Sequence, residues 1–144
     1  ALTKVVEILR EGAITLKEIA ELADIYYVDS FELDKVTEEM NKNERKSVER
    51  LYHAIEDETG KKSIKLFIEK LNAANEEITA DEAKAMLHDT MEEIGEGPGK
   101  VLMPLRVVIT GRGKGAELYN VISIIGKTRT LKRINEMVAK YNIF

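Results

Sequence analysis

Apolar side chains recur at the three- and four-residue spacing of helices through almost the whole of this 144-residue chain. Two helix starts carry a capping box, a threonine followed three residues later by a glutamate: Thr15 with Glu18, and Thr79 with Glu82. Glycines follow several of the apolar patterns, as expected where helices end. We therefore predict an all-α fold of eight or nine helices and no sheet.

Residues 101–109 are the exception to this pattern. Their β-branched run is as typical of a strand as of a helix. Because the rest of the chain offers no second strand to pair with it, a helix is the better prediction. Arg106 stands inside this apolar run, where its side chain either extends to the surface or is held for a ligand.

A polar stretch at residues 72–77 divides the predicted helices into two groups. We predict two helical subdomains, residues 1–75 and 76–144, with an open or hinged junction near 72–79. The glycine-rich residues 95–99 form a second predicted hinge.

Several helix boundaries follow from the pattern of apolar residues and glycines. In the first subdomain we predict a short helix from Asp34, a longer one from Asn43 to Gly60, and another opened by Ser63. The aromatic residues between positions 26 and 31 are predicted to pack in the interior rather than to stack on bases. Gly126 is predicted to end a helix.

Charge is divided unevenly along the chain. The formal net charge is −4, but residues 1–95 carry 13 Lys and Arg against 23 Asp and Glu, a net of −10, and residues 96–144 carry 9 against 3, a net of +6. A basic region of this kind is expected of a protein that contacts a phosphate backbone. The alternative is that it serves only solubility, or packs against the acidic part of the same chain.

Four cations stand at the start of the last predicted helix: Lys127, Arg129, Lys132 and Arg133. Positive charge near a helix N-terminus is opposed by the helix dipole, so another interaction must favour it there. We predict contact with phosphates, with plain solvation of a charged surface as the alternative.

Membrane segments and disulfides are not indicated. No apolar run reaches eighteen residues, and the chain has no cysteine, which fits a cytoplasmic location. The sequence begins inside a helical pattern, so we interpret it as part of a longer protein.

Residues 111–115, Gly-Arg-Gly-Lys-Gly, combine three glycines with two cations. Such a backbone can approach a polyanion closely, although a solvated turn would have the same composition. This loop belongs to a longer pattern of residues: Pro104-Leu105-Arg106, Val107 to Gly111, Leu118, Ile124-Ile125-Gly126-Lys127, Leu131 and Arg133.

This pattern resembles the C-terminal signature of bacterial-type glutamyl-tRNA synthetases, and Thr15 to Ile19 more weakly resembles the motif that opens their anticodon-binding region. The resemblance implies a helical anticodon-binding domain, with a helix at 101–109 and Pro104 in or near its first turn. It implies tRNA as the partner, and a parent glutamate–tRNA ligase whose catalytic domain uses ATP and Mg²⁺.

The resemblance also assigns roles to single residues. Arg106 matches the arginine that contacts the first anticodon base, and Gly115, Ala116 and Leu118 match the loop that holds the middle base. Many members have Thr-Pro where this chain has Gly115-Ala116, so backbone contacts are expected there rather than side-chain contacts. Arg112 and Lys114 join the four cations of the last helix as candidates for contact with the tRNA backbone.

Gly12 matches the position of an arginine that reads the third anticodon base in this family. Arginine offers only donors, so it favours cytosine and is repelled by the donors of guanine. Glycine can do neither, and the resemblance then implies acceptance of both glutamate and glutamine tRNA. A register shift of two residues would place Arg10 there instead.

Catalytic chemistry is not indicated in the chain itself. Gly126-Lys127-Thr128 would complete a phosphate-binding loop only if residue 121 were glycine, and it is Val121. The catalytic motifs of a class I synthetase are missing, and no nucleophile–base pair or ligand cluster replaces them. We expect no catalytic activity, metal or cofactor in this chain.

Two other classes of function stay open from the sequence. One is a helical RNA-binding module of another tRNA or rRNA protein, which the basic region would also suit. The other is a docking bundle whose basic face meets an acidic protein.

Overall fold

The computed structural model describes residues 16–27 and 31–144. These residues form six helices and no strand: α1 (Leu16–Tyr27), α2 (Lys42–Glu56), α3 (Glu58–Ala73), α4 (Ala80–Ile94), α5 (Pro98–Thr110) and α6 (Leu118–Lys140). The all-α prediction is confirmed, and residues 101–109 are helical. Gly12 and Thr15 lie outside the described residues. Across residues 16–27 and 31–144, no helix has the length and apolar character needed to cross a membrane.

The core is a single cluster of buried apolar side chains. α5 packs against α2, α3, α4 and α6, so helices from both sides of the 74–79 connection meet around it. Phe67, Leu105 and Ile122 are fully buried there. Burying a side chain of this size contributes about 1.5–3 kcal/mol. The division into subdomains at residue 75 stays a prediction.

α5 starts earlier than the resemblance implies. Pro98 occupies the first helical turn, where a missing N–H is tolerated, and Pro104 lies inside the helix in its second turn. The proline there removes one helical hydrogen bond. Lys100, whose carbonyl would have accepted that bond, is exposed to solvent. Pro104 itself is buried, so its ring adds to the core.

The predicted short helix from Asp34 is wrong, because residues 31–41 form a connector with a single turn. Besides the bond from the Met40 N–H to the Thr37 carbonyl in that turn, two of its backbone groups pair with distant side chains. The Leu33 N–H donates to the Tyr141 hydroxyl at 2.9 Å, and the Tyr52 hydroxyl donates to the Asp34 carbonyl at 3.0 Å. Leu33 is buried in the core and fixes the connector to the helices.

The predicted roles of Gly60 and Ser63 are also wrong. α2 ends at Glu56, Asp57 joins the two helices, and α3 begins at Glu58, so Gly60 lies inside α3. A Cβ on Gly60 would lie 2.0 Å from the carbonyl oxygen of Ala54. The glycine therefore permits the close approach of α2 and α3 and does not end a helix.

Two predicted helix signals are confirmed. Thr79 caps α4, its hydroxyl accepting from the Glu82 N–H at 3.1 Å. Gly126 interrupts α6 with φ 81° and ψ 176°, so the helical path ends there and restarts at the next residue.

Glu76, in the connection between α3 and α4, caps the restarted half of α6. Its backbone carbonyl accepts from the Lys127 N–H at 3.1 Å. Its carboxylate accepts from the Thr128 hydroxyl at 2.7 Å and from the Thr128 N–H at 3.3 Å. Negative charge at this position also complements the helix dipole.

The hydrogen bond from the Thr128 hydroxyl lowers the pKa of Glu76 below its ordinary value of 4.5. A carboxylate whose pKa is lower in the folded state stabilises the fold above pH 4.5, and this stabilisation is lost as the pH falls through the folded-state value. We expect Glu76→Gln to be less stable than the wild type at neutral pH and to lose less stability on acidification. Urea midpoints between about pH 3 and pH 7 measure this.

Glu77→Gln, at the exposed neighbouring carboxylate, is the matched control for charge. Identical pH profiles for Glu76→Gln and Glu77→Gln would contradict the capping role of Glu76.

Candidate nucleic-acid interface

The loop of residues 111–117, which connects α5 to α6, contains or adjoins the described residues that were predicted to contact anticodon bases: Arg106, Gly115, Ala116 and Leu118. Arg106 lies one turn before the end of α5 and is half-buried. Its Nη1 donates to the Ala116 carbonyl at 2.8 Å. A guanidinium carries five N–H donors, so this bond anchors Arg106 against the loop and leaves further donors for a ligand.

The loop itself turns through Gly115, which is exposed and has φ 139°. Ala116 and Leu118, the other two residues predicted to hold the middle base, are buried. The Ala116 N–H donates to Glu21 Oε2 at 3.0 Å, and its carbonyl accepts from Arg106. Both backbone groups of Ala116 are therefore engaged within the chain, and Gly115 is the exposed member of the three.

Acidic residues of α1 pair with the arginine side chain of this loop. Arg112 Nη2 donates to Asp24 Oδ2 at 3.0 Å, and Arg112 Nη1 lies 3.8 Å from Glu21 Oε1. Half of the Arg112 side chain remains exposed. Lys114 is exposed, and no acidic side chain of the described residues forms an ion pair with it.

Lys127 and Arg129 reach the C-terminal ends of two other helices. Lys127 Nζ donates to the carbonyls of Asn72 at 3.2 Å and Ala74 at 2.9 Å, at the end of α3. Arg129 Nη2 donates to the carbonyl of Tyr26, in the last turn of α1. The guanidinium carbon of Arg129 also lies 4.7 Å from the centre of the Tyr26 ring. Both cations hold helices together.

Arg133 lies in the interior, with 2% of its surface exposed. Its Nη1 donates to the Ile109 carbonyl at the end of α5 at 2.9 Å, and its Nη2 donates to the Ile25 carbonyl in the last turn of α1. Its guanidinium carbon also lies 5.5 Å from the centre of the Phe31 ring. A side chain buried in this way does not face a phosphate, whereas its neighbour Lys132 is exposed.

The convergence of helix ends explains the cations at the start of the second half of α6. The last carbonyls of a helix lack partners within it and carry the negative end of its dipole. Lys127, Arg129 and Arg133 bind such carbonyls at the ends of α1, α3 and α5. This attraction inside the fold compensates for their unfavourable position near a helix start.

The sequence analysis missed the acidic residues that shape the loop. Glu21 and Asp24 are three residues apart on α1 and so lie on one face of it. That spacing was visible in the sequence, but nothing local indicated that their shared partner, Arg112, stands about ninety residues later. Thr110 was missed too; its hydroxyl accepts from the Arg112 N–H at 3.2 Å and donates to the Arg106 carbonyl at 2.8 Å.

The structure thus defines a helical domain in which an arginine is anchored to a basic loop. The chain belongs to the family of the anticodon binding domain, whose model matches residues 1–138. It is 55% identical over 143 residues to a glutamate–tRNA ligase of Fusobacterium nucleatum subsp. nucleatum, covering 99% of this chain and 28% of that protein. It is 35% identical over 135 residues to a glutamate–tRNA ligase of Carboxydothermus hydrogenoformans, covering 92% of this chain and 25% of that protein.

The chain thus spans about a quarter of the length of the curated relatives it matches. The part matched is the anticodon-binding portion of these ligases. The resemblance seen in the sequence is confirmed.

Replacing Arg133 should destabilise the fold, because Arg133→Met leaves two buried carbonyls without their donor. Each such group costs about 1–3 kcal/mol. Lys132→Met, at the exposed neighbouring position, should change the free energy of unfolding by less than about 0.5 kcal/mol. Urea denaturation followed by circular dichroism compares the two.

If Arg133→Met is as stable as Lys132→Met but binds RNA more weakly, Arg133 contacts the RNA and the structural role given to it here is wrong.

Proposed function

We propose that this chain recognises the anticodon of tRNA on behalf of a glutamate–tRNA ligase. The observation that carries this proposal is the match of the anticodon binding domain across residues 1–138. The 55% identity to one glutamate–tRNA ligase supports glutamate tRNA as the tRNA bound.

Base recognition falls to Arg106 in this proposal. Its guanidinium is half-buried and anchored at one nitrogen, so its remaining N–H groups are held in a restricted direction. A group with donors only selects bases by their acceptor atoms. Gly115 is exposed beside it, so a base can approach the loop backbone there.

Contact with the tRNA backbone falls to a smaller set of cations than the sequence suggested. Lys114 and Lys132 are exposed, and Arg112 is half-exposed. Lys127 and Arg129 are largely committed to helix ends, and we leave the buried Arg133 out of the interface. About three phosphate contacts are then expected.

The parent ligase supplies the rest of the activity. We propose that ATP and Mg²⁺ belong to its catalytic part and that the protein works in the cytoplasm. No residue of this chain is assigned to either group. Among the described residues, the one group of three possible metal ligands is His88, Asp89 and Glu92, all exposed on α4.

Binding of an RNA hairpin that carries the glutamate anticodon tests this function. Arg106→Ala should weaken binding by about 1–3 kcal/mol, because it removes a base contact. The loss should shrink when the first anticodon base is replaced. Circular dichroism checks that the variant still folds, since Arg106 also binds Ala116.

The matched control is the double variant Lys114→Ala, Lys132→Ala. The wild type should show a log–log salt slope of roughly −2 to −3 for about three phosphate contacts, and the double variant a slope smaller by about 1–2. The double variant should bind all hairpins more weakly, by the same factor. Equal binding of heparin or of an acidic peptide, with no effect of the anticodon, would favour a general RNA-binding or protein-docking module instead.

We further propose that this chain accepts both glutamate and glutamine anticodons, because the resemblance places Gly12 at the arginine position that excludes guanine. Gly12 lies outside the described residues. The wild type should bind hairpins with cytosine or guanine as the third anticodon base with similar affinity. Gly12→Arg should weaken mainly the guanine hairpin, since arginine then meets donors.

Arg10→Ala is the control for the alignment. A wild type that already rejects guanine, and loses this preference in Arg10→Ala, would show that Arg10 reads the third base.

A further inference from the structure

Glu21 reaches from α1 into the loop of residues 111–117. Its Oε2 accepts the Ala116 N–H at 3.0 Å, and its Oε1 lies 3.8 Å from Arg112 Nη1. Only 14% of its side chain is exposed. Hydrogen bonds from a backbone N–H to a carboxylate are stronger than those between neutral groups. Glu21 thus holds the loop at a defined place against α1.

The shape of the loop is fitted to this carboxylate. Gly115 adopts φ 139°, a conformation that residues with a side chain rarely take. A Cβ at Gly115 would lie 1.8 Å from Glu21 Oε1. The carboxylate therefore occupies the space that a side chain at position 115 would need.

Ala116 joins Glu21 to Arg106. Its N–H is bound by Glu21, and its carbonyl is bound by Arg106 Nη1 at 2.8 Å. A displacement of Ala116 would move the acceptor that orients the guanidinium. The direction of the other Arg106 donors then depends on where Glu21 holds the loop.

We propose that Glu21 is a positioning residue for anticodon recognition: by fixing Ala116, it sets the direction in which Arg106 presents its donors to a base. This inference rests on the function proposed above. It assigns specificity to an acidic residue of α1 that does not itself touch the RNA.

The test compares three variants of the full chain. The readout is a discrimination ratio, the Kd for a hairpin with the first anticodon base replaced, divided by the Kd for the glutamate-anticodon hairpin. Glu21→Ala should lower this ratio about tenfold, the effect of losing one hydrogen bond to a charged group. Glu21→Gln should keep most of it, because its amide oxygen can still accept the Ala116 N–H.

Asp24→Asn is the matched control. It also removes one negative charge beside Arg112, but Asp24 makes no bond to the Ala116 N–H. It should leave the ratio unchanged and strengthen binding of both hairpins, since less negative charge faces the RNA. Amide hydrogen exchange at Ala116, which needs no RNA, should be faster in Glu21→Ala than in Asp24→Asn.

The outcomes distinguish a failure of the positioning role from a failure of the proposed function. A folded Glu21→Ala that keeps the wild-type ratio, or a Glu21→Gln that loses as much as Glu21→Ala, would overturn the positioning role. A wild type indifferent to the first base would overturn the proposed function, and the positioning role with it. If Glu21→Ala does not fold, Glu21→Asp replaces it, because its carboxylate is one methylene short of Ala116.

Discussion

The fold depends on cations that bind the ends of helices. Lys127, Arg129 and Arg133 stand close together where α6 restarts after Gly126, and each donates to carbonyls at the C-terminal end of another helix. Helix ends that meet inside a protein bring unpaired carbonyls together, and these must be satisfied. Arginine and lysine are suited to this, because they bring several donors and a charge that the helix dipoles favour. One short segment thereby joins α1, α3 and α5.

The cations of this region do not all have the same role. The C-terminal part of the chain is basic, yet its cations divide into those buried against carbonyls and those exposed to solvent. Arg133 belongs to the first group, and Lys114 and Lys132 belong to the second. Net charge alone therefore overstates the number of phosphate contacts that the domain can make. Burial and hydrogen bonding decide which cations remain available for the proposed contact with RNA.

The acidic part of the chain supports the basic part at particular points. Glu21 holds the loop of residues 111–117, Asp24 pairs with the Arg112 side chain, and Glu76 caps the second half of α6. The basic region therefore does pack against the acidic region at these residues. From the sequence, such packing was considered as an alternative to phosphate contact. Arg106 is anchored through Nη1 to the Ala116 carbonyl, and its guanidinium carries further N–H donors. An acidic residue, Glu21, and a basic residue, Arg106, thus both bind the backbone of the loop that is proposed to contact a base.

The sequence by itself determined the helical class, the start of α4 at Thr79 and the break at Gly126, because capping residues and glycines act on their immediate neighbours. It also indicated Arg106 and the loop through a local pattern. Tertiary structure decided that Gly60 serves close packing, that Arg133 is buried, and that Glu21 binds Ala116, ninety-five residues away in the chain. Contacts of this kind leave no periodic signal in the sequence, because they arise only when helices distant along the chain pack against each other.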